Sequence, residues 1–133
     1  MATAWNVNEH GVAIDGYDVV AYHTDHAAVP GSPDFTATYD GVTFQFASAD
    51  HRDRFREDPT AWLPAFKGWC AFGVAAKQAT APSDPKTFRI VDGRLMLFFN
   101  DMYEGQHVDT SAMWDQDEAT LKQAAETNWN AMD

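Results

Sequence analysis

The only cysteine of the chain, Cys70, lies in the stretch FKGWCAFG, between Trp69 and Phe72. A single thiol excludes an internal disulfide and a zinc knuckle built from several cysteines. Three roles remain for it: a metal ligand, a reactive thiol, or a small core residue, which is the usual role of a buried free cysteine. The neighbouring cation Lys67 gives little reason to expect an activated thiolate.

Copper is the metal that best suits such a site, because copper(I) accepts soft ligands such as cysteine. Structural zinc would need four nitrogen or sulfur ligands, which this sequence does not group together. The second predicted ligand is His51, and we therefore expect any metal ion, copper first, to be bound by Cys70 and His51. The simpler alternative is that His51 is an exposed surface histidine between Asp50 and Asp53.

The stretch YDVVAYHTDH concentrates phenols, imidazoles and carboxylates within ten residues. One interpretation is the wall of a pocket for a small molecule, with Tyr17, Asp18, Tyr22, His23 and Trp69 as the ligand-binding residues. The alternative is a set of satisfied polar residues in which Asp18 caps a turn. The paired valines predict an extended or irregular chain here rather than a helix.

Composition restricts the function further. The chain has 133 residues and a formal net charge of −11, with 45% hydrophobic residues, which fits one folded domain over 1–133. The negative charge argues against nucleic-acid binding, and no apolar run is long enough to insert into a membrane. Because no signal peptide precedes the domain, we expect a cytoplasmic protein, or an exported one whose leader is missing from this sequence.

Two β-hairpins are predicted, at about 35–47 and 87–99, because Asp40-Gly41 and Asp92-Gly93 lie between alternating or β-rich runs. Val42, Phe44 and Phe46 share one face of the first hairpin. The second strand of the later hairpin, around Leu95–Phe99, is apolar on both faces and is therefore expected to be buried on both sides.

Helices are predicted between and after the hairpins. Ser48 caps a short charged helix that ends near Glu57, and Asp109 caps a single long helix at the C-terminus. Arg52 is a candidate partner for a buried carboxylate such as Asp18. The apolar stretch FKGWCAFGVAAKQ is expected to be an irregular segment or a short strand, so that the fold class is α+β.

Several of these stretches together resemble the YHS-domain family, and most closely its stand-alone members. They are GYDVVAY, the FASADHRDRF segment and GWCAFG, within a similarity from about Ala13 to Trp129. The resemblance implies a treble-clef-like core with metal-binding cysteines. Those cysteine positions fall on Ala21, Ala47 and His51, so the resemblance also implies that the usual metal site of the family is absent.

The leading hypothesis is a small soluble binding module that holds a metal ion or a small molecule near Cys70. A second hypothesis is a non-catalytic interaction domain with a buried, structural Cys70. The third is an enzyme that uses Cys70 with a nearby histidine and tyrosine, although no phosphate loop, dinucleotide motif or HExxH motif supports it. Whether the chain is an enzyme, and its oligomeric state, stay open.

Overall fold

Alternating apolar and polar residues form the first hairpin in a computed structural model that describes residues 3–133. Strand β1 (Ser32–Tyr39) pairs in antiparallel fashion with β2 (Val42–Phe46). Asp40 and Gly41 both have positive φ, of 53° and 76°, as the predicted two-residue turn requires. Every second residue of β2 is buried, which confirms the predicted apolar face.

The second hairpin is also confirmed. Strand β3 (Asp84–Val91) pairs with β4 (Arg94–Phe98) across the Asp92-Gly93 turn, whose φ angles are 52° and 80°. The four residues of β4 that follow Arg94 are all buried, so this strand is covered on both faces as expected.

A third hairpin was not predicted. Strand β5 (Asn100–Tyr103) pairs with β6 (Gln106–Asp109), and Glu104 and Gly105 form a turn with φ angles of 50° and 81°. Short strands of mostly polar residues carry little hydrophobic pattern, so the Glu-Gly turn was the only local signal for this hairpin.

The early helices are short. Helix α1 (Ala21–Thr24) is one turn, whereas an extended or irregular chain was expected there. Helix α2 (Ala49–Glu57) begins at Ser48, whose hydroxyl accepts the backbone N–H of His51 at 3.2 Å. A 3-10 turn over Pro59–Ala61 follows it.

The expectation of an irregular segment or strand after Gly68 was wrong in part. A 3-10 turn over Ala65–Gly68 leads through Cys70 into helix α3 (Ala71–Lys77). One face of this helix is buried and carries the small side chains of Ala71, Val74 and Ala75. Because these side chains are small, the helix packs closely against its neighbours. Gln78 ends the helix in a left-handed conformation, with φ of 48°.

The C-terminal region contains two helices rather than one. Helix α4 (Thr110–Gln116) begins at Asp109, which caps it as predicted, and α5 (Glu118–Met132) is the long helix. Asp117 lies between them with φ of −153° and ψ of 53°, which is outside the helical region.

Two apolar clusters form the core of the α+β fold. The first joins the β1–β2 hairpin to α2 and contains Phe44, Phe46 and Phe55. The second joins β4 to α3, α4 and α5 around Phe98 and Trp114. Trp62 packs against the first cluster and Trp129 against the second, and both are only partly buried. Among the described residues no helix combines the length and the apolarity needed to cross a membrane. The treble-clef-like core stays a prediction.

Candidate functional site

The thiol of Cys70 is sealed inside the protein, with an exposed fraction of 0%. Its sulfur accepts the backbone N–H of Phe99 at 3.2 Å and lies 3.4 Å from the hydroxyl oxygen of Thr110. That hydroxyl donates its own proton to the Phe99 carbonyl at 2.8 Å, so its oxygen is left to accept the thiol proton. The thiol therefore has a partner both as a donor and as an acceptor.

A second buried polar group is the carboxylate of Asp18, which is also 0% exposed. One oxygen accepts the N–H groups of Val20 and Ala21, at 2.9 and 3.1 Å, which confirms that Asp18 caps a turn. The other oxygen accepts the N–H of Ala47 at 2.9 Å and lies 2.7 Å from Nδ1 of His51. Both oxygens of this buried carboxyl group are therefore hydrogen bonded within the fold.

The expected pairing of Asp18 with Arg52 is wrong, because Arg52 donates to Asp53 instead. Asp18 pairs with His51, whose side chain is only 16% exposed. His51 is therefore not the exposed surface histidine of the simpler alternative. The Asp18 contact holds Nδ1, and Nε2 has no hydrogen-bond partner among residues 3–133. This arrangement fixes the orientation of the imidazole ring.

The positions Ala21, Ala47 and His51, onto which the family's metal cysteines fall, converge on the Asp18 carboxylate. The donor set there does not suit a metal, because two of the three side chains are methyl groups and the carboxylate is occupied by backbone N–H groups. Within residues 3–133 there is no cluster of three or more His, Cys, Asp or Glu side chains placed to hold an ion.

Cys70 and His51 belong to separate hydrogen-bonded clusters and share no partner. The thiol contacts Phe99 and Thr110, whereas the imidazole contacts Asp18, three residues before α1 begins. Joint coordination of copper by these two side chains stays a prediction.

Of the predicted pocket residues, Tyr22 is completely buried, and its hydroxyl donates to the Pro85 carbonyl at 2.6 Å. Burial raises the pKa of this phenol far above its ordinary value, and the nearby Tyr17 and Asp84 raise it further. Tyr17 is partly buried and forms a β-bridge with Pro30, while the indole of Trp69 donates to the Ala4 carbonyl at 2.8 Å.

His23 lies in α1, where its ring packs edge-on against Trp62 with 5.5 Å between the centroids. Its Nε2 atom is buried and has no hydrogen-bond partner among the described residues. Burial lowers the pKa of His23, an effect that the Trp62 backbone partly offsets. The ring is therefore neutral near pH 7.

A cleft of about 240 Å³ lies beside Cys70, and we call it the acidic cleft. Two short segments line it, one at the start of β3 and one at the start of β5: Pro82, Ser83, Asp84 and Pro85, and Phe99, Asn100 and Asp101. A neighbouring cleft of about 210 Å³ shares Ser83 and Pro85 with it and extends to Asn6, Asn8 and Asp15. None of the five predicted ligand-binding residues lines either cleft.

Cys70 connects both walls of the acidic cleft. Its backbone N–H donates to the Ala81 carbonyl at 2.9 Å, next to the first wall. Its sulfur accepts the N–H of Phe99, in the second wall. One residue therefore sets the spacing of the two segments without lining the cleft itself.

Further hydrogen bonds tie the walls together. The Asn100 amide donates to the Thr87 hydroxyl at 3.0 Å, and that hydroxyl donates to the Asp84 carboxylate at 2.8 Å. Ser83 donates to the Gly68 carbonyl at 2.8 Å, which attaches the first wall to the turn before Cys70. Because each wall is fixed by such contacts, the cleft is preformed.

The electrostatic character of the acidic cleft is negative. Asp84 and Asp101 contribute carboxylates, and neither of them takes part in an ion pair within residues 3–133. No lysine or arginine lines the cleft. This site was not predicted from the sequence, because the thirteen residues 86–98 separate its two walls, which resemble a Pro-rich loop and the end of a strand.

Comparison of the chain with protein-family models, with curated proteins and with solved structures produced no match. The resemblance to the YHS-domain family therefore stays a prediction.

Proposed function

We propose that the protein is a binding module for a small, positively charged, polar molecule, which occupies the acidic cleft beside Cys70. The observation that carries this proposal is the double attachment of the cleft to Cys70, together with two carboxylates that lack an ion-pair partner among the described residues. An ammonium group in the cleft would supply that partner through a charge-assisted hydrogen bond.

The size of the cleft limits the ligand. Pockets for drug-sized molecules have volumes of about 300–1,000 Å³, and the acidic cleft has only about 240 Å³. A short aliphatic amine or an amino alcohol is of suitable size. The cleft is also open to solvent at Asp101, which is exposed, so that a ligand can enter without a change in the fold.

Cys70 has a structural role in this proposal. A thiol nucleophile must meet its substrate as a thiolate, whereas this thiol is completely buried and donates to Thr110. Replacing the thiol would change the spacing of the two walls and would therefore act on the ligand indirectly. This argument favours a binding module over the enzyme that the sequence left open.

Calorimetric titration with 1,4-diaminobutane and its neutral counterpart 1,4-butanediol tests the proposal. We expect the diamine to bind and the diol to bind at least tenfold more weakly, since only the diamine carries charge. Asp101→Asn should weaken diamine binding about tenfold, a loss typical of one hydrogen bond to a charged group. The matched control Asp34→Asn removes an exposed carboxylate of β1 and should have no effect.

Equal binding of the diamine and the diol would overturn the proposal. Equal effects of Asp101→Asn and Asp34→Asn would do the same, because binding would then reflect the overall charge of −11 and not the cleft.

Copper(I) binding by Cys70 and His51 is a separate prediction, made from the sequence. Anaerobic titration of copper(I) into wild type, Cys70→Ala and His51→Ala decides it. Stoichiometric binding that both substitutions abolish would support a shared site, and binding that neither substitution changes would rule that site out.

A further inference from the structure

The β5–β6 hairpin is the least buried regular structure in the described chain. All residues from Asp101 to His107 are exposed, whereas the other two hairpins bury whole faces against the core. An isolated two-stranded hairpin has marginal stability in water. An exposed hairpin of this kind is suited to pairing with a further strand.

The base of the hairpin is nevertheless held in place. Thr110 donates its backbone N–H to the Phe99 carbonyl at 2.9 Å, and the ring of His107 lies 2.6 Å from the Asn100 side-chain oxygen. These contacts cross from one strand to the other at the end nearest the core. The hairpin therefore presents a defined edge, which reduces the entropy that a partner strand would lose on binding.

Strand β6 provides the open edge. With a two-residue turn, Tyr103 and Gln106 exchange backbone hydrogen bonds, so the next pair, Met102 and His107, directs its backbone groups outward. On β5 the outward N–H of Met102 is already bonded to the Asp101 side chain at 2.7 Å. The outward groups of His107 on β6 are left for another strand.

Exposed apolar side chains lie on β5, the strand next to this edge. Met102 and Tyr103 are 59% and 58% exposed, and they are two of the four large hydrophobic residues exposed in residues 3–133. Because successive residues of a strand point to opposite faces, each face of the hairpin carries one of them. A strand added at β6 would extend both of these faces.

Charge selects the partner. Asp101, Glu104 and Asp109 are acidic, and the hairpin contains no lysine or arginine. Hydrogen bonds from Ser111 hold the pKa of Asp109 below its ordinary value, so it is an anion. A second copy of this chain, with a net charge of −11, would be repelled, whereas a basic segment would be attracted.

We infer that β6 is a docking edge to which an extended, lysine- or arginine-rich segment of another protein adds as a third strand. The backbone pairing does not depend on the ligand of the acidic cleft, because no residue of β6 lines that cleft. Backbone hydrogen bonds to β6 supply the pairing, and the acidic side chains supply the preference for a basic sequence.

Amide NMR titration with two matched peptides tests this inference: acetyl-Lys-Val-Lys-Val-Lys-Val-amide and the same peptide with glutamate in place of lysine. We expect the basic peptide to shift the amide signals of 106–109 and the acidic peptide to leave them unchanged. Binding of the basic peptide should weaken steeply with added salt.

Two substitutions at His107 separate the edge from the side chain. His107→Pro removes the outward N–H without removing a backbone hydrogen bond to β5, and should lower the affinity for the basic peptide at least tenfold. His107→Ala keeps that N–H and should bind within threefold of wild type. Glu104→Lys lies in the turn and leaves the backbone groups of β6 unchanged. It should weaken binding of the basic peptide, because it replaces an acidic side chain with a basic one.

Three results would overturn the inference. They are equal shifts with both peptides, no shift at 106–109 with either, and concentration-dependent self-association of wild type through β6. Equal affinities of His107→Pro and His107→Ala, with both variants folded, would also contradict pairing at this edge.

Discussion

The Asp18 carboxylate and the Cys70 thiol are both completely buried and hydrogen bonded, yet they act on the fold at different ranges. Asp18 accepts hydrogen bonds from residues two and three positions later, which begins α1. Two further contacts attach that turn to Ala47 and His51. Cys70 joins segments that lie eleven and twenty-nine residues later.

The comparison separates a carboxyl group from a thiol. Burying a carboxyl group without its hydrogen-bond donors is very unfavourable, whereas a thiol forms only weak hydrogen bonds and costs less to replace. We therefore expect Asp18 to dominate stability, and Cys70 to contribute less stability but more of the geometry of the acidic cleft.

The largest effect is expected at Asp18. In Asp18→Asn the amide NH₂ would meet the N–H of Ala47, and we expect a loss of about 3–5 kcal/mol in the free energy of unfolding. Urea denaturation measures this loss, with Asp34→Asn as the control on an exposed carboxylate. If the two variants had the same midpoint, the stabilising role of Asp18 would be refuted.

A smaller loss is expected at Cys70. Cys70→Ala leaves the Phe99 N–H without its acceptor, which costs about 1–3 kcal/mol. Because Thr110→Val breaks the same cluster, the double variant should be less destabilised than the sum of the two single variants. Additive losses in urea denaturation would show that the thiol and the hydroxyl act independently.

His23 should make stability depend on pH. Its pKa is lowered in the folded protein by burial, so the unfolded chain binds the additional proton below its ordinary pKa of 6.5. Stability is therefore complete above about pH 6.5 and falls as the pH decreases toward the lowered pKa of the folded state. His23→Phe should reduce this acid sensitivity, as measured by urea midpoints from pH 5 to 8, and an unchanged pH profile would contradict the assignment.

The smallest effect is expected on the exposed hairpin. Tyr103→Ala removes a side chain that is 58% exposed, and should change the free energy of unfolding by less than about 0.5 kcal/mol. A thermal unfolding midpoint well below that of wild type would show that Tyr103 packs against the rest of the protein, and would contradict the exposed hairpin.

Local patterns made part of this fold predictable. The Asp-Gly turns, the Ser48 cap and the turn at Asp18 each depend on residues within four positions of one another. The short third hairpin and the break at Asp117 were missed, since polar strands of four residues and a single non-helical residue leave little trace in hydrophobic periodicity.

The candidate site was less predictable for a physical reason. The sequence marks Cys70 as a candidate residue but does not mark its partners. Phe99 and Ala81 contact Cys70 through their own backbone atoms. Backbone contacts leave no requirement on side-chain type, so no motif marks them. The same holds for Asp18 and Ala47, whose contact uses a backbone N–H.

The most direct test of the central claim is an amide NMR titration of wild type and Cys70→Ala with 1,4-diaminobutane. The claim is that Cys70 sets the spacing of a cleft that binds a small cation. It predicts shifts confined to 82–85 and 99–101 in wild type, and at least threefold weaker binding in folded Cys70→Ala, although the thiol touches no ligand. Equal affinities of the two proteins, or shifts elsewhere, would contradict it.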